Sequence, residues 1–360
     1  MEIETQLKKY QSEFQPLLEE YFQKKIKKLQ TVDSLAVEAV KEIRNLVLYG
    51  GKRIRPFLVC QSYFLSGGRR REAILQAALS IELVHAFLLI HDDVIDRDEK
   101  RHNIPTINKR YSLLGERFFA DKNQSTHFGN SMAIIVGDLT YSLANEILFE
   151  ANFSPEIILT ALKKIQEIVY QTIPGEMTDL FLQARGQATE QEVLKMYDGK
   201  TARYTFEGPL HLGVCLAGES RNQKLLESLS AYALPLGQTF QLQDDILGLF
   251  GNEEKIGKAV GADVIEGKMT LLVAKALEKG NAKQKQKIKK MLGKKDLTEK
   301  NLEEFRQIIQ ETGALVYAQK KAFELTQKAI RALNKVKNSV DPEAWKSLKD
   351  LAEYIILRQV

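Results

Sequence analysis

Apolar residues recur at spacings of three and four along most of this chain, and only 8 prolines interrupt its 360 residues. That period is the mark of amphipathic helices, since a half-buried strand would alternate every second residue. It is clearest in REAILQAALSIELVHAFLLIHDDVID, SMAIIVGDLTYSLANEILFEA, PEIILTALKKIQEIVYQTI and KSLKDLAEYIILRQV. Several of these windows are apolar over much of their circumference, as helices at the centre of a large bundle are. There is no reliable alternating strand segment, no GxGxxG and no P-loop. The breaks at Gly50-Gly51, Ser66 to Gly68, Asn152 to Pro155 and Asn281 to Lys287 are short. Two longer polar, glycine-bearing interruptions, Asp121 to Asn130 and Gly251 to Lys268, read as functional loops. Nothing resembles an interdomain linker, so one all-α domain over residues 1–360 is expected.

Composition narrows the class. Hydrophobic content of 44% and charged content of 28% are those of a soluble globular protein. No apolar run approaches the roughly 18 to 20 residues needed to cross a bilayer, and MEIETQLKKYQSEF lacks the pattern of a signal peptide. Cys60 and Cys215, far apart and each in an apolar setting, fit a reduced cytoplasmic protein without disulfides. A net charge of +5 is mild, and with no helix-turn-helix, zinc or RNA-recognition pattern no nucleic-acid partner is expected. The basic N-terminal helix and NAKQKQKIKKMLGKKD read as solvated faces, with at most peripheral contact to anionic membrane.

The charged stretch LLIHDDVIDRDEKRHN constrains the chemistry most. Asp92 and Asp96 are four apart, so on a helix their carboxylates share a face within about 6 Å, and Asp93 lies a step round. Without a partner they would repel. A second pair, Asp244-Asp245, closes another apolar helix in GQTFQLQDDILGLFG. Clusters of carboxylate oxygens select hard cations, and Mg²⁺ bridges to substrate phosphates rather than filling an all-protein cage. Two facing acidic walls with Mg²⁺ and a phosphorylated ligand between them are the natural inference.

Basic residues answer the same ligand. GGKRIRP sets Lys52 and Arg55 three apart after a glycine turn, a point charge and a planar fork for phosphate oxygens. Lys258 and Lys268 bracket the glycine-rich GKAVGADVIEGKMTL. Together with the acidic pairs they suggest diphosphate chemistry with more than one anionic substrate.

These residues resemble a known family. HDDVID, with GGKRIRP before it, YDGKTARYTFEGPLHLG in the middle and FQLQDDILG followed by GKAVGADVIEGKMTLL, is similar in order and spacing to the all-trans polyprenyl diphosphate synthases, from about residue 40 to the end. The resemblance implies a large antiparallel helical bundle around a central cavity, a homodimer, and head-to-tail condensation of an allylic diphosphate with isopentenyl diphosphate. It implies Mg²⁺ as cofactor, with Asp92, Asp96 and Asp244 as ligands and Asp93 and Asp245 supporting them. Arg101, Lys200, Thr201, Gln241, Lys258 and Lys268 would face the allylic diphosphate or its ionised carbon. Lys52, Arg55 and His85 would hold isopentenyl diphosphate. The chain departs from the family at His102, which stands where a second arginine is expected and can bind phosphate when protonated, and at Gly248, where many members have a third aspartate.

In the family the cavity floor lies one to three turns before the first aspartates. Phe87, five residues before Asp92 and counted on the same helical face, resembles the length-setting aromatic of archaeal-type geranylgeranyl diphosphate synthases, so that product is expected. A class I terpene cyclase would keep the first acidic motif but replace Asp244-Asp245. A non-catalytic chain-length-setting subunit would have lost aspartates that this chain keeps.

Overall fold

A computed structural model describes residues 2–101, 104–251 and 260–357. The first half runs α1 (Glu2–Leu29), α2 (Ser34–Leu48), α3 (Ile54–Leu65), α4 (Arg71–Ile95), α5 (Ile107–Gly115), α6 (Lys122–Phe149) and α7 (Pro155–Arg185). Then follow α8 (Glu190–Tyr197), a π-helix over Asp198–Glu207, α9 (Gly208–Leu216) and α10 (Gln223–Phe250). The C-terminal part adds Ala262–Glu266, Leu271–Lys279, Ala282–Met291, Glu299–Glu311, Ala314–Asn334 and Pro342–Ile356. Among the described residues the only sheet is a two-stranded antiparallel ribbon, β1 (Lys100–Arg101) on β2 (Ile104–Pro105). The all-α reading holds, because the three-and-four spacing has no competitor along the chain.

Two expected breaks are helix starts instead. Asp121 caps α6, its side chain accepting from the Asn123 amide. Asn281 caps Ala282–Met291 in a capping box with Gln284. Polar residues in a first turn satisfy its free N–H groups and imitate a loop in sequence.

The expectation of no membrane-length segment also needs correction. Arg71–Ile95 and Lys122–Phe149 are both long and apolar enough to cross a bilayer by length and composition alone. In α4 the cause is burial inside the molecule, with 72% of its most apolar window covered. In α6 that share is 44%, and Ile134 and Ile135 stand exposed. The apolar stripe of α1 (Leu7, Phe14, Leu18, Phe22) is buried in the same core as α3 and α4.

The core has two clusters. One is built around α3, α4, α6 and the first half of α10. The other lies around the second half of α10 and the C-terminal helices. Both α10 and Ala314–Asn334 run through the two clusters. Close backbone approaches set the helices around the acidic residues. A Cβ at Gly137 of α6 would come within 2.2 Å of the His91 ring on α4. A Cβ at Gly175 would come within 2.2 Å of the Lys200 amide, and one at Gly237 within 2.3 Å of Ala202 Cβ. The π-helix is thereby wedged between α7 and α10.

Candidate active site

The end of α4 presents the first acidic cluster. Asp92 lies in its last turn, and the Asp96 amide donates to the Asp92 carbonyl at 2.8 Å, so the pair keeps helical spacing. Asp93 turns inward and is 2% exposed. Arg101, on β1, takes it in a two-pronged grip, Nε to Oδ1 at 2.9 Å and Nη2 to Oδ1 at 2.6 Å. The same Nη2 is 3.5 Å from Asp92 and 3.8 Å from Asp98. Burial pushes the Asp93 carboxyl up to about 6, although Arg101 opposes the rise. Arg101 is thus held against the acidic motif by a buried ion pair, which pins the ribbon to α4.

The π-helix links this cluster to α10. Such wide helices are rare and concentrate at functional positions, and here the Gly208 amide reaches the Arg203 carbonyl five residues back. Lys200 Nζ lies 2.7 Å from Asp179, 2.9 Å from Glu176 and 3.7 Å from Asp92. Burial alone would depress its ammonium, but Asp179 and Asp92 outweigh that and raise it. The neighbouring Thr201 hydroxyl donates to Gln241 Oε1 at 2.6 Å, and Gln241 Nε2 donates to Asp245 at 2.8 Å. Two consecutive residues therefore connect Asp92 on one wall to Asp245 on the other.

On α10, Asp245 is buried and accepts from the Tyr197 hydroxyl as well as Gln241. Burial, then the charge of Asp263, push its carboxyl upward. Asp244, one residue earlier, is half-buried. At Gly248 a Cβ would stand 3.4 Å from the Asp263 carboxylate, so another acid occupies the neighbourhood of the absent third aspartate. Asp245, Gly248, Asp263 and Lys268 line one crevice. Lys268 Nζ reaches back to the first motif, 2.7 Å from Asp96, and is 2.6 Å from Glu266. Glu266 is pushed up to about 7 by burial despite that contact.

A separate cationic group lies toward α3. Gly50 and Gly51 have φ of 149° and 104°, and Arg53 is left-handed at 52°. That last conformation costs a non-glycine residue about 1–2 kcal/mol. It persists because the guanidinium is buried, 2.6 Å from Glu82 and 2.6 Å from the Val47 carbonyl. The turn so fixed sends Lys52 to the Tyr354 hydroxyl at 2.7 Å and Arg55 to Tyr204 and Thr205 at 2.7 and 3.0 Å. Arg55 also lies over the Tyr204 ring, and His85 packs against the same ring from α4. His85 Nδ1 and Arg55 Nε are buried without a hydrogen-bond partner. Burial, followed by the charges of Arg55 and Arg101, holds the His85 imidazole well below its ordinary value, hence neutral. An unpartnered buried arginine N–H, with a neutral imidazole beside it, is chemistry fit for an anion.

Asp92, Asp96, Lys200, Lys268 and Arg101 thus come together directly, Thr201 and Gln241 join them to the second motif, and Arg55 and His85 adjoin on α3 and α4. Phe87 does not share the face of Asp92. Five helical residues turn about 140° past it, and the ring lies 5.0 Å from Tyr141 of α6 and 4.9 Å from His91. His102 and Lys258 lie outside the described residues. Sequence reasoning passed over Glu176, Asp179, Asp263 and Glu266. The signal for the first two was the acidic pair in PGEMTDL, directly after a proline and glycine inside a helix. The other two sat in GADVIEGK, where only the lysines drew notice.

Comparison with known proteins places the sequence and the fold. The polyprenyl synthetase family model covers residues 37–310. The geranylgeranyl diphosphate synthase of Sulfolobus acidocaldarius is 34% identical over 88% of this chain and 89% of its own. That of Methanosarcina mazei is 31% identical over 89% and 90%. Among solved structures, the geranylgeranyl pyrophosphate synthase of Corynebacterium glutamicum, complexed with isoprenyl diphosphate and magnesium, superposes with a TM-score of 0.91. It is 28% identical and covers 98% of this chain and 99% of its own. With two acidic helix ends joined through a π-helix and a cationic group alongside, the chain belongs to the polyprenyl synthetase family and is an all-trans prenyltransferase.

Proposed function

We propose that the chain condenses an allylic diphosphate with isopentenyl diphosphate head to tail, with Mg²⁺, to give geranylgeranyl diphosphate. The observation that carries this reading is the bridge made by Lys200 and Thr201, which ties Asp92 to the Gln241–Asp245 pair and makes one site of two distant motifs. Asp92, Asp96 and Asp244 offer only hard oxygen donors, which suits Mg²⁺. When bound, the metal would screen the diphosphate's charge and favour its departure.

The chain's own residues have distinct tasks. Lys200, Lys268 and Arg101 stabilise negative charge as it develops on the leaving diphosphate, where exclusion of water strengthens every such contact. The oxygens of Thr201 and Gln241 face the positive carbon left behind. Lys52, Arg55 and neutral His85 hold isopentenyl diphosphate, whose double bond attacks that carbon, and the proton lost from it passes to the released diphosphate. A cyclase would have no second diphosphate for the Lys52–Arg55–His85 group. The Phe87–Tyr141 ring pair, packed between α4 and α6, supports a short product, because two adjoining bulky rings leave little room for a growing chain. Two copies of the chain associate through the exposed apolar ridge of α6 and α7, and the free, buried thiols of Cys60 and Cys215 suit a reducing cytoplasm.

The test is elongation of geranyl and farnesyl diphosphate by isopentenyl diphosphate, read by mass spectrometry with and without Mg²⁺. Metal-dependent formation of a twenty-carbon diphosphate is expected, and Asp92→Asn should lower kcat by about a hundredfold or more. No elongation on any allylic primer would overturn the reading.

A further inference from the structure

The turn between α1 and α2 leaves apolar side chains in water. Asp33 caps α2, its side chain accepting from the Ala36 amide at 2.8 Å. At a helix start of this kind an apolar residue before the cap commonly packs on the fourth residue of the helix. Here Val37 in that fourth position is buried, yet Val32 is 72% exposed and Leu35 71%. The tip of the α1–α2 hairpin is therefore apolar and uncovered.

Behind the tip, a groove of about 520 Å³ runs between the two helices, lined by Ile26, Lys27 and Gln30 on one side and Lys41, Arg44 and Asn45 on the other. Its charge is one-sided. From Gln23 to Asn45 the chain carries Lys24, Lys25, Lys27, Lys28, Lys41 and Arg44 against Asp33, Glu38 and Glu42. Of the acids, Asp33 is engaged as the cap and Glu42 is held by Arg110 at 2.6 Å. Glu38 meets Lys41 at 2.6 Å, but side chains 61% and 47% exposed make that a weak pair. Lys27 and Arg44 are in no ion pair among the described residues.

We propose that the α1–α2 hairpin is a docking surface for an anionic lipid bilayer, with Val32 and Leu35 entering the interface and Lys27, Lys41 and Arg44 taking lipid phosphates. The spacing suits this. Lys27 is five residues before Val32 and Lys41 six after Leu35, which at helical rise sets both about 8–9 Å behind the tip. Apolar groups of peripheral helices sink about 5–10 Å into the boundary of headgroups and acyl chains, so the cations arrive at the level of the phosphates. A protein partner fits less well. Lysine is depleted at protein interfaces, and two exposed side chains fall far short of the roughly 800 Å² that a stable interface buries on each partner. Nucleic acid would have no use for the apolar tip. The surface goes beyond the synthase reading and gives its product a destination, since a diphosphate with a twenty-carbon tail is an amphiphile whose tail is soluble in a bilayer.

The experiment is flotation of the full chain with vesicles of equal parts phosphatidylcholine and phosphatidylserine, beside vesicles of phosphatidylcholine alone. Wild type is expected to float with the mixed vesicles only. Lys27→Gln with Arg44→Gln should bind them about tenfold or more weakly. Val32→Ser with Leu35→Ser, which keeps every charge, should also weaken binding. Lys283→Gln with Lys289→Gln, in the other basic helix Ala282–Met291, should bind like wild type. All three double variants should keep wild-type elongation in vesicle-free solution, which shows that they fold, and Asp92→Asn should dock normally, so docking and elongation fail separately. Wild type that floats with neither vesicle would overturn the proposal, as would serine variants that bind as tightly as wild type or an equal loss at Lys283 and Lys289. Release from the vesicles by millimolar inorganic phosphate would assign the groove to a soluble phosphate instead, and binding of single-stranded RNA without vesicle binding would assign it to nucleic acid. Either result overturns docking to lipid.

Discussion

At Phe87 the identity of a residue and its orientation carry different information. The ring is tilted 35° to Tyr141 at 5.0 Å, and Tyr141 is fixed from α7, its hydroxyl donating to Gln166 Oε1 at 2.6 Å. Gln166 in turn donates to Asn145 at 3.1 Å, so the second ring has little freedom to swing aside. Phe87→Ala removes one of the two packed rings and opens space between α4 and α6. Longer prenyl products than wild type are expected on reversed-phase chromatography, and an unchanged product ladder would refute the assignment. The position was legible in sequence, but its neighbours were not. Counting residues gives the angle round a helix, about 140° from Asp92, and only the packing of α6 shows what lies in that direction. The aspartates were easier to read, because closely spaced carboxylates at the end of an apolar helix need a counter-charge wherever they point. Arg101 answers Asp93 from nearby, but the other counter-charges came from lysines 108 and 172 residues away in sequence, a pairing that no local pattern encodes.

Among the elements, the π-helix over Asp198–Glu207 has the least sequence signature and the largest effect on the site. Its residues, DGKTARYTFE, show no apolar period that would separate it from an α-helix. Its placement follows from glycines on its neighbours, since Gly175 of α7 and Gly237 of α10 let backbone approach where any side chain would collide. Gly175→Ala should therefore push Lys200 and Thr201 away from Asp92 and Gln241. A fall in kcat of about tenfold or more is expected, with a stability loss of about 1–3 kcal/mol from overpacking. Steady-state kinetics and thermal melting on one preparation would measure both, and a variant with wild-type kcat would show that the close approach does not position the site. The long amphipathic helices were legible because their period is set by the core they face. Their capped starts at Asp121 and Asn281 were not, because a cap and a loop use the same residues.

Across the whole molecule, Glu190 on α8 binds Lys275 at 2.8 Å and Lys321 at 2.8 Å, joining three helices around the second core cluster. Burial favours its protonated form, but the hydrogen bonds from Lys275, Lys321 and Tyr317 outweigh that and hold it down to about 2. A carboxyl lowered in the folded state contributes stability above its unfolded value, near 4.5, that is lost as pH falls toward 2. Glu190→Gln should thus be less stable than wild type at pH 7, by about 1 kcal/mol once solvent screening is allowed for, and the gap in denaturant midpoint should close in acid. A gap that persists below about pH 2 would assign the effect to packing.

The outer face of α7 offers a surface for the pairing proposed above. Tyr170, Ile173, Met177 and Phe181 recur at helical spacing and are 60%, 48%, 54% and 73% exposed, and Ile134 and Ile135 extend the apolar surface onto α6. Scattered exposed apolar residues need no explanation, but a ridge along two helices does, because leaving it in water forfeits about 25 cal/mol per Å². A two-fold pairing would bury this ridge against its own copy. Asp179 projects from the opposite, buried side of the same helix, where it holds Lys200. Pairing would therefore stiffen the helix that carries the site's cationic anchor. Light scattering on wild type is expected to give twice the chain mass, and Met177→Glu with Phe181→Glu should give a monomer with lower kcat. A monomeric wild type would refute the pairing. A monomeric variant with unchanged kcat would separate assembly from the positioning of Lys200.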